Sequence, residues 1–201
     1  MIAMKRKSLA VISTATVVGV AVKHWGGVSR LDDIEKLVAE EKVAEERLAE
    51  AIGVFVMRFG FLERNLNWSL WCLLGLNERV GEVLTTTYRN VSAKLDLYFA
   101  LTNGRRMADE VRRRLIECGE EIALLNTYRN RLLHNQFSSH QPVSDTWLKF
   151  WVETANKKAR CRHVQLNPSD IRAEAEKCFQ CVVRLMDGIK AYQNATPLEK
   201  L

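Results

Sequence analysis

The strongest constraint on this chain is an apolar stripe of helical period over residues 52–73. Ile52, Phe55, Val56, Phe59, Leu62, Leu66, Leu70 and Leu73 recur at three- and four-residue steps, which places them on one broad face of a helix. A face that wide is stable in water only when other elements cover it. Gly75 is placed to end the helix as a cap, since glycine alone enters the left-handed region without steric cost. The preceding segment, Leu31 to Glu50, has the same period in Leu31, Ile34, Leu37 and Val38, with Asp32 and Asp33 suiting a first turn. Neither Ala51 nor Ile52 is a breaker, so the two segments are free to run on as one.

Further helices are expected from Arg79 to Leu101, with a break at Asn103-Gly104, and from about Arg105 to His134. In the latter, Val111, Leu115, Cys118, Ile122, Leu125, Leu132 and Gln136 lie near one line. After Phe137 the texture changes. Ser138, Ser139, Pro142, Ser144 and Asp145 read as a loop; Trp147 to Glu153 and Arg160 to Leu166 read as two strands joined around Asn156-Lys157-Lys158. Asn167-Pro168-Ser169-Asp170 opens a last helix, with Ser169 or Asn167 as its cap, and that helix ends before Pro197. Only 10 Gly and 3 Pro in 201 residues argue against a turn-rich all-β chain. The expectation is a mainly α protein: an up-and-down bundle of four or five helices, with a small β-hairpin around residues 145–167 before the last helix. Residues 1–30 form a basic and apolar leader, 31–50 an accessory helix, and 51–196 the helical domain.

Thirty Lys and Arg against 24 Asp and Glu give a formal charge of +6, which favours RNA, DNA or an anionic membrane as partner. The leader holds Lys5, Arg6, Lys7, Lys23 and Arg30 without an acid. Its apolar run, Leu9 to Val22, is short for a membrane span, and no small-x-small cleavage site precedes His24 and Trp25. No stable span is expected; the chain reads as cytoplasmic, with an N-terminal export or anchor segment as the lesser alternative. Arg105, Arg106, Arg112, Arg113 and Arg114 form either a solvated helix face or a phosphate-facing patch.

Five irregularly spaced cysteines do not make a disulfide framework, and free thiols suit a reducing compartment. Cys178-Phe-Gln-Cys181, with Cys161 and His163 as completing ligands, is a weak zinc pattern, because a single CxxC lacks a second compact ligand pair. Its cysteines fall within an apolar stripe and read as core, so neither metal nor cofactor is expected. Trp68, Trp71, Trp147, Trp151 and Phe150 either stack nucleobases or pack the core and hairpin.

Two charged residues interrupt apolar faces. Arg129 falls in the middle of the stripe made by Val111, Cys118, Ile122, Leu125 and Leu132, and Glu63 lies centrally in the Ile52–Phe59–Leu66–Leu70 stripe. Buried charges demand partners. The simplest expectation is therefore that Glu63 and Arg129 meet, across packed helices or across a dimer seam. His134 follows Arg129 by five residues, which in an ideal helix is about 140° round the axis and about 7.5 Å along it. The two side chains do not share a face, and a twofold axis joining two copies of the helix is one way to bring them together. Asn130 does share a face with His134.

The segment Tyr128-Arg129-Asn130-Arg131-Leu132-Leu133-His134, at the end of a long helix, resembles the HEPN domain superfamily of helical ribonucleases and RNA-binding modules. Arg129, Asn130 and His134 match that superfamily's signature of Arg, a polar residue, three further positions and His. Glu63 is similar to the acidic residue that many such domains place in the first core helix, and the resemblance covers about Ala51 to Ala195. It implies a metal-independent endoribonuclease of toxin or defence type that acts as a dimer and cleaves RNA by attack of the 2′-hydroxyl. The implied catalytic residues are Arg129, His134 and Asn130, supported by Glu63, Arg131 and Tyr128; an antitoxin or nucleotidyltransferase-type protein is the implied partner. The alternative is a non-catalytic RNA-binding or protein-interaction adaptor, in which a Glu63–Arg129 pair fixes the fold and His134 caps its helix.

Overall fold

The computed structural model describes residues 31–88, 90–134, 136–141, 146–155 and 158–195. The leader over residues 1–30 and the expected loop residues Pro142, Ser144 and Asp145 lie outside these. Among the described residues are five helices and one sheet: α1 (Leu31–Leu74), α2 (Glu78–Thr87), α3 (Val91–Gly104), α4 (Asp109–His134), β1 (Gln136–Gln141), β2 (Thr146–Ala155), β3 (Lys158–Leu166) and α5 (Pro168–Ala195). The protein is mainly helical, with an antiparallel hairpin before the last helix. No helix among the described residues is long and apolar enough to cross a membrane.

Met1–Val43 and Ala44–Leu201 are separate compact units. The described part of the first is the opening of α1, where Glu35, Lys36 and residues 38–43 are solvent-exposed. In the second, the core begins at Ala44 and Leu48, ahead of the Ala51 boundary expected from sequence. It continues through Phe55, Phe59, Leu62, Leu66, Leu70 and Leu73, the stripe read from periodicity. Leu115, Ile122 and Leu125 of α4 and Ile171, Cys178, Leu185 and Ile189 of α5 complete it.

Cross-helix contacts fix the directions. Glu50–Arg172, Arg58–Glu176 and Cys72–Gln193 rise together along α1 and α5, so these two helices are parallel. Asn126 meets Ser92 while the Tyr98 hydroxyl donates to the Leu115 carbonyl at 2.9 Å, so α3 and α4 are antiparallel. α1 ends as anticipated. Gly75 has φ 72°, its N–H donates to the Cys72 carbonyl, and the Leu76 N–H donates to the Trp71 carbonyl at 2.9 Å, the paired bonds of a Schellman cap.

The single helix expected over Arg79–Leu101 is two. The Asn90 carboxamide accepts from the Ala93 N–H at 2.7 Å, and the Asn77 carboxamide accepts from the Val80 N–H at 3.0 Å, so each asparagine caps a separate start. α4 begins at Asp109 rather than near Arg105, and the Arg105 N–H instead closes the end of α3 on the Leu101 carbonyl. The two expected strands are present as β2 and β3. A third, β1, pairs antiparallel with β2, with an irregularity between Phe137 and Ser139, where a loop had been expected. The Asn167 side chain accepts from the Ser169 N–H at 2.8 Å where α5 opens.

Candidate functional site at the end of α4

α4 carries Arg129, Asn130, Arg131 and His134 in its last two turns, and Arg131 and His134 complement the negative end of the helix dipole. The Arg129 guanidinium lies over the Phe59 ring of α1, 5.7 Å from its centroid, a cation–π contact. Its Nη1 also donates to the Asn130 carboxamide oxygen at 3.2 Å. His134 is exposed, and its imidazole makes no hydrogen bond or ion pair with a described residue. The expected pairing of Glu63 with Arg129 does not occur within the chain. The Glu63 carboxylate takes the Lys94 ammonium at 2.7 Å, and Arg129 has no carboxylate partner among the described residues.

Lys94 is thus the buried charge that sequence reading passed over. The signal was present: Val91, Leu95 and Tyr98 are buried at helical spacing, and Lys94 falls on the same face. Asn126, one turn before Asn130, is buried as well, with its Nδ2 3.4 Å from the Ser92 hydroxyl.

Tyr128 packs inward, its ring meeting Phe55 edge-on at 5.2 Å between centroids. Its hydroxyl is buried without a hydrogen-bond partner. Burial first, then the Glu174 and Asp170 carboxylates, push its phenol well above the ordinary tyrosine range, so it holds its proton at neutral pH. Arg131 is exposed.

Three members of the arginine cluster are engaged locally. Arg112 donates to the Thr102, Asn103 and Arg105 carbonyls and so caps α3, while Arg113 and Arg114 pair with Glu110. That leaves Arg105 and Arg106 for a phosphate-facing patch. Cys178 and Cys181 are fully buried in the core, whereas the side chains of Cys161 and His163 are outside those described. Trp147 is buried; Trp68 and Trp71 line an open cleft of about 650 Å³ with Arg64, Asn67, Tyr88 and Lys94. Neither Arg129 nor His134 lines that cleft.

The arrangement at the end of α4 offers a cation without a carboxylate, a neighbouring carboxamide and an exposed imidazole. Those groups suit binding and proton transfer at a phosphodiester. No protein-family model, curated protein or solved structure matches this chain.

Proposed function

We propose that this chain is a metal-independent endoribonuclease of toxin or defence type, active as a dimer. The observation that carries the reading is that Arg129 and His134 remain uncommitted to any acidic group of the described chain while lying five residues apart at one helix end. Structural charges are usually paired. A guanidinium left without a carboxylate is free to take non-bridging phosphate oxygens.

In the proposed reaction the His134 imidazole removes the proton from a ribose 2′-hydroxyl. The freed oxygen attacks the adjacent phosphorus, and the bond to the 5′-oxygen breaks as that oxygen takes up a proton from water. A 2′,3′-cyclic phosphate remains on one fragment. Arg129 stabilises the charge developing on phosphate, and Asn130 positions Arg129 through the contact between them. DNA lacks the attacking hydroxyl and is not a substrate. Because ideal helical geometry separates Arg129 from His134 by about 140°, the reading pairs Arg129 of one copy with His134 of a second.

A non-catalytic adaptor is the second reading, and the stacking of Arg129 on Phe59 favours it, since that contact gives the arginine a packing role. The two are separated by incubating the purified chain, and His134→Ala beside it, with labelled single-stranded RNA in excess EDTA. Cleavage by the parent and none by the variant supports the nuclease. Absence of cleavage by both, across several RNAs, favours the adaptor, and equal cleavage by both removes His134 from the site.

A further inference from the structure

We propose that Phe59 of α1 is a positioning residue for Arg129, holding its guanidinium so that the Nε and Nη2 donors are left as a ready-made fork for two non-bridging oxygens of a phosphodiester. The inference rests on the proposed reading of Arg129 as a phosphate ligand. The guanidinium lies over the Phe59 ring, 5.7 Å from its centroid, and its Nη1 donates to the Asn130 carboxamide oxygen at 3.2 Å. That is its one hydrogen bond among the described residues, so Nε and Nη2 have no partner there.

Which donors are left matters. A guanidinium is planar, and its Nη1 lies on the same side as Cδ, so the Nε–H and one Nη2–H run side by side. That edge can take two oxygens of one phosphate at once. The Asn130 carboxamide occupies the other end of the head group. The contact with Phe59 is equally selective, because a ring face attracts a cation without using any of its N–H groups. Phe59 therefore restrains Arg129 and leaves the fork open, whereas a carboxylate in its place would fill it.

The support beneath the guanidinium is packed in turn. Phe59 is 2% exposed and Phe55, one turn earlier, is fully buried; their rings stack with 6.0 Å between centroids and 26° between planes. Tyr128 meets Phe55 edge-on at 5.2 Å. Two consecutive residues of α4, Tyr128 and Arg129, thus land on two rings one turn apart on α1, which fixes the register of the helices where the guanidinium sits. A free arginine samples many rotamers, and ordering it at the moment of binding costs side-chain entropy. Restraint before the phosphate arrives removes that cost.

The test uses the full chain, isotope-labelled for NMR, with a 2′-O-methylated single-stranded RNA that cannot react and unmodified RNA for cleavage. The Arg129 Nε–H resonance, assigned by its absence in Arg129→Lys, should be as rigid as the α4 backbone in the heteronuclear NOE and should shift when the methylated RNA is added. In Phe59→Leu it should become mobile. Cleavage by Phe59→Leu should show kcat lowered by about tenfold or more and KM changed by less than about threefold, because the guanidinium acts on charge that develops in the transition state. Phe59→Tyr, which keeps the ring, should retain the parent values. Leu70→Ala weakens the same buried stripe about 16 Å further along α1 and should leave kcat unchanged. Circular dichroism checks that each variant folds, and the parent resonance does not depend on them. The proposal is overturned by a mobile Arg129 Nε–H in the parent, by a resonance that the methylated RNA does not move, by parent kcat in Phe59→Leu, or by an equal loss in Leu70→Ala. A rigid resonance that shifts, in a chain that cleaves no RNA, supports the fork and overturns the nuclease reading alone.

Discussion

The Lys94 ammonium lies 2.7 Å from the Glu63 carboxylate and joins α3 to α1, the Lys94 side chain 6% exposed and the Glu63 side chain 30%. Removing the acid leaves a buried cation without a partner, which costs about 3–5 kcal/mol for a fully buried pair. Water reaching Glu63 lowers that, so Glu63→Gln is expected to destabilise by about 2–3 kcal/mol. Urea denaturation measures it. The double variant Glu63→Gln/Lys94→Met should recover most of the loss, because no charge is then left buried; a double variant as unstable as the single would show that the pair is not what Glu63 supports.

Gly81 lets α2 approach the Trp71 ring, where a Cβ would sit 2.3 Å from ring carbon Cγ. The ring is not the far end of a flexible chain, so it cannot simply swing clear. Gly81→Ala is expected to cost about 1–3 kcal/mol, as overpacking does. Gly53 is exposed in α1 with nothing within 4 Å of its would-be Cβ, and there alanine should stabilise by about 0.5–1 kcal/mol. Thermal melts of the two variants should move in opposite directions.

Tyr98 and Tyr128 both hold their protons above the ordinary value of 10.0, Tyr98 through burial and the nearby Cys118 and Cys181, Tyr128 through burial and Glu174. Above pH 10 the unfolded chain therefore releases protons that the folded chain retains. Stability is fully present below pH 10 and falls by about 1.4 kcal/mol per pH unit for each of the two as pH rises beyond it. Absorbance titration of the 4 tyrosines should show these two ionising late, together with the loss of helical circular dichroism. Because the Tyr128 hydroxyl has no hydrogen-bond partner, Tyr128→Phe should be neutral or stabilise by about 1 kcal/mol and leave one late tyrosine.

Arg129→Lys separates packing from chemistry. Lysine retains charge over Phe59, so stability should change by less than about 1 kcal/mol. It lacks the planar fork that holds two phosphate oxygens, so RNA cleavage should fall by about 100-fold or more. Cleavage kept at the parent rate would confine Arg129 to a packing role.

Periodicity made the helices legible where one residue type repeats on one face. The α1 stripe, the Gly75 cap and the asparagine at the start of α5 follow from local sterics and local hydrogen bonds, which act over a few residues. The break between α2 and α3 was missed because apolar spacing continues across it; the Asn90 carboxamide, by taking the Ala93 N–H, starts a new helix there. β1 was missed because Gln136–Gln141 has no alternating pattern of its own and gains its backbone partners from β2.

The sequence by itself determined the helical class, the faces that would be buried and the short segment in which Arg129, Asn130 and His134 lie together. It also showed that charges would fall on apolar faces. Only the tertiary structure decided which charges meet. Glu63 found Lys94 on α3 rather than Arg129 on α4, and Arg129 settled on an aromatic ring. Likewise the Cys181 thiol met the Cys118 carbonyl, while Arg112 turned from a candidate phosphate ligand into a helix cap. The physical reason is range. Periodicity reports which face leaves water, an effect that needs no particular partner, whereas an ion pair or a hydrogen bond between helices depends on a few ångströms set only once the bundle has packed.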